Sequence, residues 1–163
     1  MQRLVLSAFA VALPAFTIGV RGHTAPGSIQ GGWRTVEVTV PGPNGRTIAN
    51  TQPNLIILTA KHYSRVEIHT ETPRPILADV GKATADDLRA AWGPFVAEAG
   101  TYEVTGGDLI TMRPIVAKNP AAMVRGAYRT YTYKLAGDTL LITARGSETG
   151  PVEQLKIKAV RVE

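Results

Sequence analysis

The segment "AYRTYTYKL", residues 127–135, concentrates side chains able to hold a small molecule. On an extended strand successive side chains point to opposite faces. Arg129, Tyr131, Tyr133 and Leu135 then share one face, while Tyr128, Thr130, Thr132 and Lys134 share the other. The first face sets a guanidinium beside two phenols. A phenol combines apolar area with a hydroxyl, which suits a ligand carrying a ring and an oxygen. The same residues also make sense as core, with Arg129 paired to a buried carboxylate. Both readings remain open at this level.

The candidate carboxylate is Glu37. In "WRTVEVTV", residues 33–40, Trp33, Thr35, Glu37 and Thr39 alternate with Arg34, Val36, Val38 and Val40. If Trp33 points inward, so does Glu37, and a buried carboxylate needs a partner such as Arg129. This choice leaves three valines facing outward, which requires either cover from a helix or a bulge that flips the register. In "LIILTAKHYSRVEIHT", residues 55–70, Tyr63, Arg65, Glu67 and His69 fall on one face and His62 and Ser64 on the other. Ser, His and acid coexist there, but no GxSxG elbow accompanies them, so a hydrolase is not indicated. His62 and His69 face opposite sides of a regular strand, a poor arrangement for a shared metal. Tyr102, in "GTYEV", is placed inward with Val104, either as ligand contact or as core. No metal site and no cofactor are expected.

The bulk composition narrows the classes. The chain of 163 residues has no cysteine, which removes disulfides and thiol chemistry. Its 18 basic and 13 acidic residues leave a formal charge of +5. They are scattered, without the basic patch of a nucleic-acid binder, so no nucleic-acid partner is expected. "MQRLVLSAFAVALPAFTIGV" has a basic start at Arg3 and an apolar run from Leu4 to Val20. This reads as a secretory signal peptide over residues 1–25, cleaved near 22–25, followed by a domain over 26–163. The alternative is an uncleaved anchor, for which the run is marginally short and contains Pro14. Periplasmic or secreted location, and no stable membrane insertion after cleavage, follow as expectations.

The remaining chain reads as strands. Residues 33–40 form the first, then "PGPNGRTIANTQP" is a long polar loop. Residues 55–70 give two strands turning near Ala60-Lys61, or one long bent strand. Thr84, with Asp87 three residues on, opens the single expected helix of the mature chain, which ends at Gly93-Pro94. Ala85, Leu88 and Trp92 share its apolar face, and "FVAEAG" reads as a second short turn. Beyond residue 100 come a hairpin around Gly106-Gly107, a loop at "VAKNPAAMV", two strands around "AGD", and a last strand in "VEQLKIKAVRVE". About eight strands at this spacing predict an all-β, antiparallel up-and-down barrel, or failing that a sandwich.

"IQGGWRTVEV" resembles the Gly-x-Trp opening of lipocalins. The order "LIILTAKHYSRVEI", an Asp/Ala-rich helix, "GTYEVTGGDLIT", "KNPAAMVRGAYRTYTYKLAGDTLLIT" and a closing "AVRVE" resembles a bacterial lipocalin-like domain family across roughly residues 29–163. The resemblance implies an eight-stranded barrel with an internal cavity, and a Trp33 that closes the barrel floor beneath Arg161. The chain departs from secreted lipocalins in lacking cysteine, in carrying its helix mid-chain and in ending on a strand. The expected function is binding of a small hydrophobic molecule, oriented by Glu37, Tyr63, Tyr102, Arg129, Tyr131 and Tyr133. The alternatives are an isomerase or cyclase in the same cavity, with Glu37, Arg129 or a tyrosine as acid, base or clamp, and a filled barrel that acts as a structural or interaction module.

Overall fold

Antiparallel strands wrap into a closed cylinder in the computed structural model, which describes residues 27–49, 51–151 and 154–162. The expected signal segment lies outside the described residues. Among those residues no helix is long and apolar enough to cross a membrane.

The strands are β1 (Gly31–Val40), β2 (Arg46–Ile48), β3 (Leu55–Leu58), β4 (His62–Ile68), β5 (Phe95–Thr105), β6 (Leu109–Ala117), β7 (Arg129–Ala136), β8 (Thr139–Ser147), β9 (Gly150–Pro151) and β10 (Lys156–Arg161). Eight of them close the barrel in the order β10-β1-β3-β4-β5-β6-β7-β8, and β8 pairs back onto β10. Closure leaves no unpaired edge in the ring, the main hazard of an open sheet. The short strands β2 and β9 are additions on β1 and β8. The loop expected at residues 41–53 therefore contains a three-residue strand, where Arg46–Ile48 ladders onto Val38–Val40.

The segment at 55–70 is two strands, turning at Thr59–Lys61. Thr59 stabilises that turn: its backbone N–H donates to the carbonyl of His62 at 2.9 Å and its hydroxyl accepts from the His62 N–H at 3.1 Å. The hairpin from β5 to β6 turns through Gly106, Gly107 and Asp108, one residue more than expected. Both glycines take φ values, 61° and 87°, that a side chain would strain.

The helix α1 spans Ala85–Trp92. The Thr84 hydroxyl accepts from the Asp87 N–H and the Asp87 carboxylate accepts from the Thr84 N–H, a reciprocal cap of the free N-terminal donors. Its expected apolar face is not buried as a unit, because Trp92 is half exposed and Ala91 is the residue that packs. "FVAEAG" is not a turn but the first half of β5, where Glu98 is buried on the same face as Gly100 and Tyr102. Gly100, next along that face, is needed because a Cβ there would meet the Arg113 carbonyl oxygen at 2.1 Å. The ladder slips at the same point, between Ala99 and Gly100.

The core is one cluster inside the cylinder. It includes Trp33, Ile56, Leu58, Tyr63, Tyr102, Ile110, Met112, Tyr131, Leu140, Ile142 and Ala159. Trp33 is fully buried, and its indole N–H donates to the Ile29 carbonyl at 2.8 Å. Arg161 lies opposite it in the β1–β10 ladder, with the guanidinium carbon 4.2 Å from the ring centroid. Arg161 also donates to the carbonyls of Gln30 and Ser28, each at 2.7 Å, which ties the chain leading into β1 across this end. The barrel floor expected from Trp33 and Arg161 is therefore built as a stacked and hydrogen-bonded plug.

Candidate functional site

The end of the cylinder opposite that floor carries an open cavity of about 230 Å³. It is framed by the far ends of β1 and β4 and the beginning of β10. Val38, Val40, Ile48, Ile68, Leu155 and Ile157 supply apolar wall, and Thr35, Asn54, Arg65, Glu67 and His69 supply polar groups. Arg46, from β2, reaches across the rim to Glu71 at 2.8 Å.

A bulge determines which residues of β1 reach this cavity. Thr35 pairs with Ala159, but Glu37 pairs with Lys158, so Val36 is an extra residue in the β1–β10 ladder. Such an insertion reverses the alternation beyond it. Val38 and Val40 therefore turn into the barrel, while Glu37 and Thr39 turn out toward a surface groove shared with Lys156 and Lys158. This corrects the expectation of an inward Glu37. Period-two counting carried it through a strand whose register changes midway. Two of the three valines that seemed to need outside cover, Val38 and Val40, are cavity wall, and the third, Val36, is the bulged residue itself.

Arg65 and Glu67 of β4 and His69, the residue that follows it, meet there because they share one face, as alternation predicts. Glu67 is almost fully buried and His69 half exposed, and the Glu67 Oε2 lies 3.2 Å from His69 Nε2 and 3.6 Å from Arg65 Nε. Burial alone raises a carboxyl pKa, yet the bond from His69 and the charge of Arg65 outweigh it and hold Glu67 below its ordinary value. Glu67 is therefore the ionised, accepting partner, and His69 Nε2 carries the proton between them. The Thr35 backbone is clamped from outside the barrel ladder. Asn54 accepts from the Thr35 N–H at 2.6 Å and donates to its carbonyl at 3.1 Å, and the Thr51 hydroxyl donates to the same carbonyl at 2.7 Å.

Two buried side-chain polar atoms have no hydrogen-bond partner among the described residues: Thr35 Oγ1 and Arg65 Nε. Both residues line this cavity. Buried donors normally find acceptors, and each exception calls for a reason.

The expected ligand residues lie elsewhere. Arg129, Tyr131, Tyr133 and Leu135 do share one face of β7, pointing into the barrel. Arg129, however, forms an ion pair with Glu98 of β5, not with Glu37. Glu98 also accepts from the Tyr63 hydroxyl at 2.8 Å. Burial and this carboxylate push the Tyr63 phenol far above its usual range, so it stays protonated and donates. Burial likewise raises the pKa of Tyr131. The Tyr102 hydroxyl donates to the Thr59 carbonyl at 2.5 Å. Tyr63, Tyr102, Arg129, Tyr131 and Tyr133 thus fill and brace the interior, and none of them lines the mouth cavity. Glu98 was missed because its segment reads as a turn. The alternation of Val96, Glu98, Gly100 and Tyr102 is the signal that identifies it. Among the described residues no three His, Asp or Glu side chains gather as metal ligands.

The state of Glu67 gives a pH prediction. Its folded pKa lies below the ordinary 4.5, so on acidification the unfolded chain takes up the proton first. The stability it contributes is present above that value and lost as pH falls through the folded pKa. Urea midpoints measured from pH 7 down to pH 3 are expected to fall more steeply below about 4.5 for the natural chain than for Glu67→Gln. Parallel curves would show that the carboxylate is not held as described.

Compared with known proteins, the chain matches no family model and no curated protein.

Proposed function

We propose that this protein is an exported, lipocalin-like up-and-down barrel that binds a small, largely apolar molecule bearing a hydrogen-bond-accepting oxygen. The observation that carries the reading is one mostly apolar cavity at the open end of the barrel, walled by Val38, Val40, Ile48, Leu155 and Ile157 with a few polar side chains among them. Arg46 and Arg65 of the lining bring guanidinium groups, which only donate, so the complementary group on a ligand is an acceptor. Pairing of consecutive strands supports the up-and-down lipocalin-like topology, and the apolar run at residues 4–20 supports export. The volume of about 230 Å³ is below the roughly 300–1,000 Å³ of drug-sized sites, which favours a single ring or a short chain. The tyrosines and Arg129 act one layer below, as the packed base on which the cavity rests.

Native mass spectrometry of protein purified from its own host tests this by looking for a retained small molecule. A defined probe, cyclohexanone, is followed by saturation-transfer NMR. Val38→Trp places an indole into the cavity and is expected to weaken probe binding by at least tenfold, about 1.4 kcal/mol. Binding unchanged by that substitution would place the ligand elsewhere. A probe that never binds, together with protein that retains nothing, would favour a filled barrel serving as an interaction module.

A further inference from the structure

The outer surface of the cylinder is not polar all round. The alternation that turns Tyr63, Arg65 and Glu67 inward turns Ser64 and Val66 outward, and the ladders carry that face across four strands. Leu55 of β3 opposes Val66 of β4, which in turn opposes Ala97 of β5. Lys118 comes next in that row, its backbone N–H donating to the Ala97 carbonyl at 2.8 Å. Beside it runs a second row, Ile57, Ser64, Ala99 and Val116. Leu55, Ile57, Val66 and Val116 are 40%, 43%, 44% and 58% exposed. A contiguous apolar patch of this kind marks a site that meets another apolar surface. Across the cylinder the outward residues of β7, β8 and β10 are mostly polar, Thr132, Lys134, Thr143, Lys156 and Lys158 among them, so the apolar character belongs to one wall.

We propose that this wall docks on an anionic lipid bilayer, with the apolar rows at the boundary between headgroups and acyl chains and the flanking cations among the headgroups. Charge selects that partner. The side chains that end the first row are both cationic and exposed: Lys118 at one end and, at the other, Arg34, which follows Trp33 where β1 ladders onto β3. The Lys118 ammonium donates to the Phe95 carbonyl at 2.8 Å, and neither cation is ion-paired with a carboxylate among the described residues. The rows contain no carboxylate, and Glu103, further along β5, is paired with Arg113 at 2.7 Å. A second copy seated here by a two-fold axis along or across the rows would set Arg34 against its own counterpart or against Lys118, like charges in both cases. An anionic surface satisfies both ends at once. Between the cations the only hydrogen-bonding side chain is Ser64, and the rows lack the aromatic anchors on which protein interfaces are centred. Such a face suits a fluid apolar phase better than a protein. The backbone pays little to enter it, because β3, β4 and β5 each ladder on both sides. Long Arg and Lys stems let the charges reach the headgroups while the aliphatic side chains sit deeper. The wall is separate from the mouth cavity, and its role does not depend on what that cavity binds.

The test is cosedimentation with vesicles of phosphatidylglycerol and phosphatidylcholine, set against vesicles of phosphatidylcholine alone. The natural chain and each variant are made in the same host, so that all share one N-terminus. Binding is expected to be stronger on the anionic vesicles and to weaken with added salt. Ile57→Asp with Val116→Asp is expected to weaken it about tenfold or more, and Arg34→Gln about fivefold. Lys156→Gln with Lys158→Gln, on the opposite wall and beyond a screening length, should change it by less than about twofold. Circular dichroism checks the fold of each variant. Should Ile57→Asp with Val116→Asp not fold, Val116→Ser, at the most exposed position of the rows, takes its place, with a loss of about threefold expected. Vesicle binding that ignores these substitutions, or that is lost only with Lys156 and Lys158, would overturn the assignment of the wall. Equal binding to anionic and neutral vesicles, or to neither, would overturn the anionic bilayer as partner. A dimer in sedimentation velocity that Ile57→Asp with Val116→Asp dissociates, without vesicle binding, would give the face to a second copy and overturn the proposal as well.

Discussion

Replacing Trp33 by alanine is expected to destabilise the protein by about 4 kcal/mol, the cost typical of emptying a buried aromatic site. The side chain is fully buried, donates its N–H to Ile29 and lies under the guanidinium of Arg161. Its removal leaves a cavity at a closed end of the cylinder, where backbone held in two ladders cannot collapse to fill it. For a chain of this size the melting temperature should drop by roughly 8–16 °C. Trp33→Phe should cost less, since it keeps most of the apolar area and loses the hydrogen bond and the better π face. Thermal and urea unfolding measure both. A loss under about 1 kcal/mol for Trp33→Ala would mean that the floor is not a structural plug.

The second large effect lies one layer up. Arg129→Met is expected to cost about 3 kcal/mol, because it strands Glu98 in the interior. Glu98 keeps the Tyr63 hydroxyl, and Arg65 Nε stands 3.9 Å away, so the loss falls at the low end for a broken buried pair. The double substitution Glu98→Met with Arg129→Met should recover most of that stability, since two apolar side chains of similar length need no partners. A double-mutant cycle gives the coupling directly. If the double variant is no more stable than Arg129→Met alone, the two side chains do not depend on each other. Because neither residue lines the mouth cavity, binding of cyclohexanone should survive in whichever of these variants folds.

Much of the barrel was legible because alternation is a local property. The β7 face of Arg129, Tyr131 and Tyr133 and the β4 face of Tyr63, Arg65 and Glu67 follow from counting by two, and His69 continues the second just beyond the strand at the rim. Thr84 with Asp87 marked the start of α1 for the same reason, as a cap is made by residues three apart. The pairing of Trp33 with Arg161, by contrast, joins the two ends of the domain and came from resemblance rather than from spacing. Glu37 failed where counting fails. One extra residue, Val36, reverses every side chain after it, and nothing in "WRTVEVTV" distinguishes a bulged strand from a regular one. The three valines placed outward were the only hint, and a helix laid over them answered the same difficulty.

The site divides along the same line. From the sequence alone come the barrel class, the absence of thiol chemistry, and the sets of side chains that share a face on each strand. Those follow from backbone geometry and composition, which act over a few residues. Only the tertiary structure decided which carboxylate neutralises Arg129, which end of the cylinder is plugged and which is open, and that Thr35, Arg65, Glu67 and His69 meet at one cavity. These depend on strand register and on the stagger of a closed sheet, where a single bulge or a shifted pairing moves a side chain from one surface of the barrel to the other. The energy that selects among registers is the burial of the whole interior at once, so no short stretch of the chain contains it.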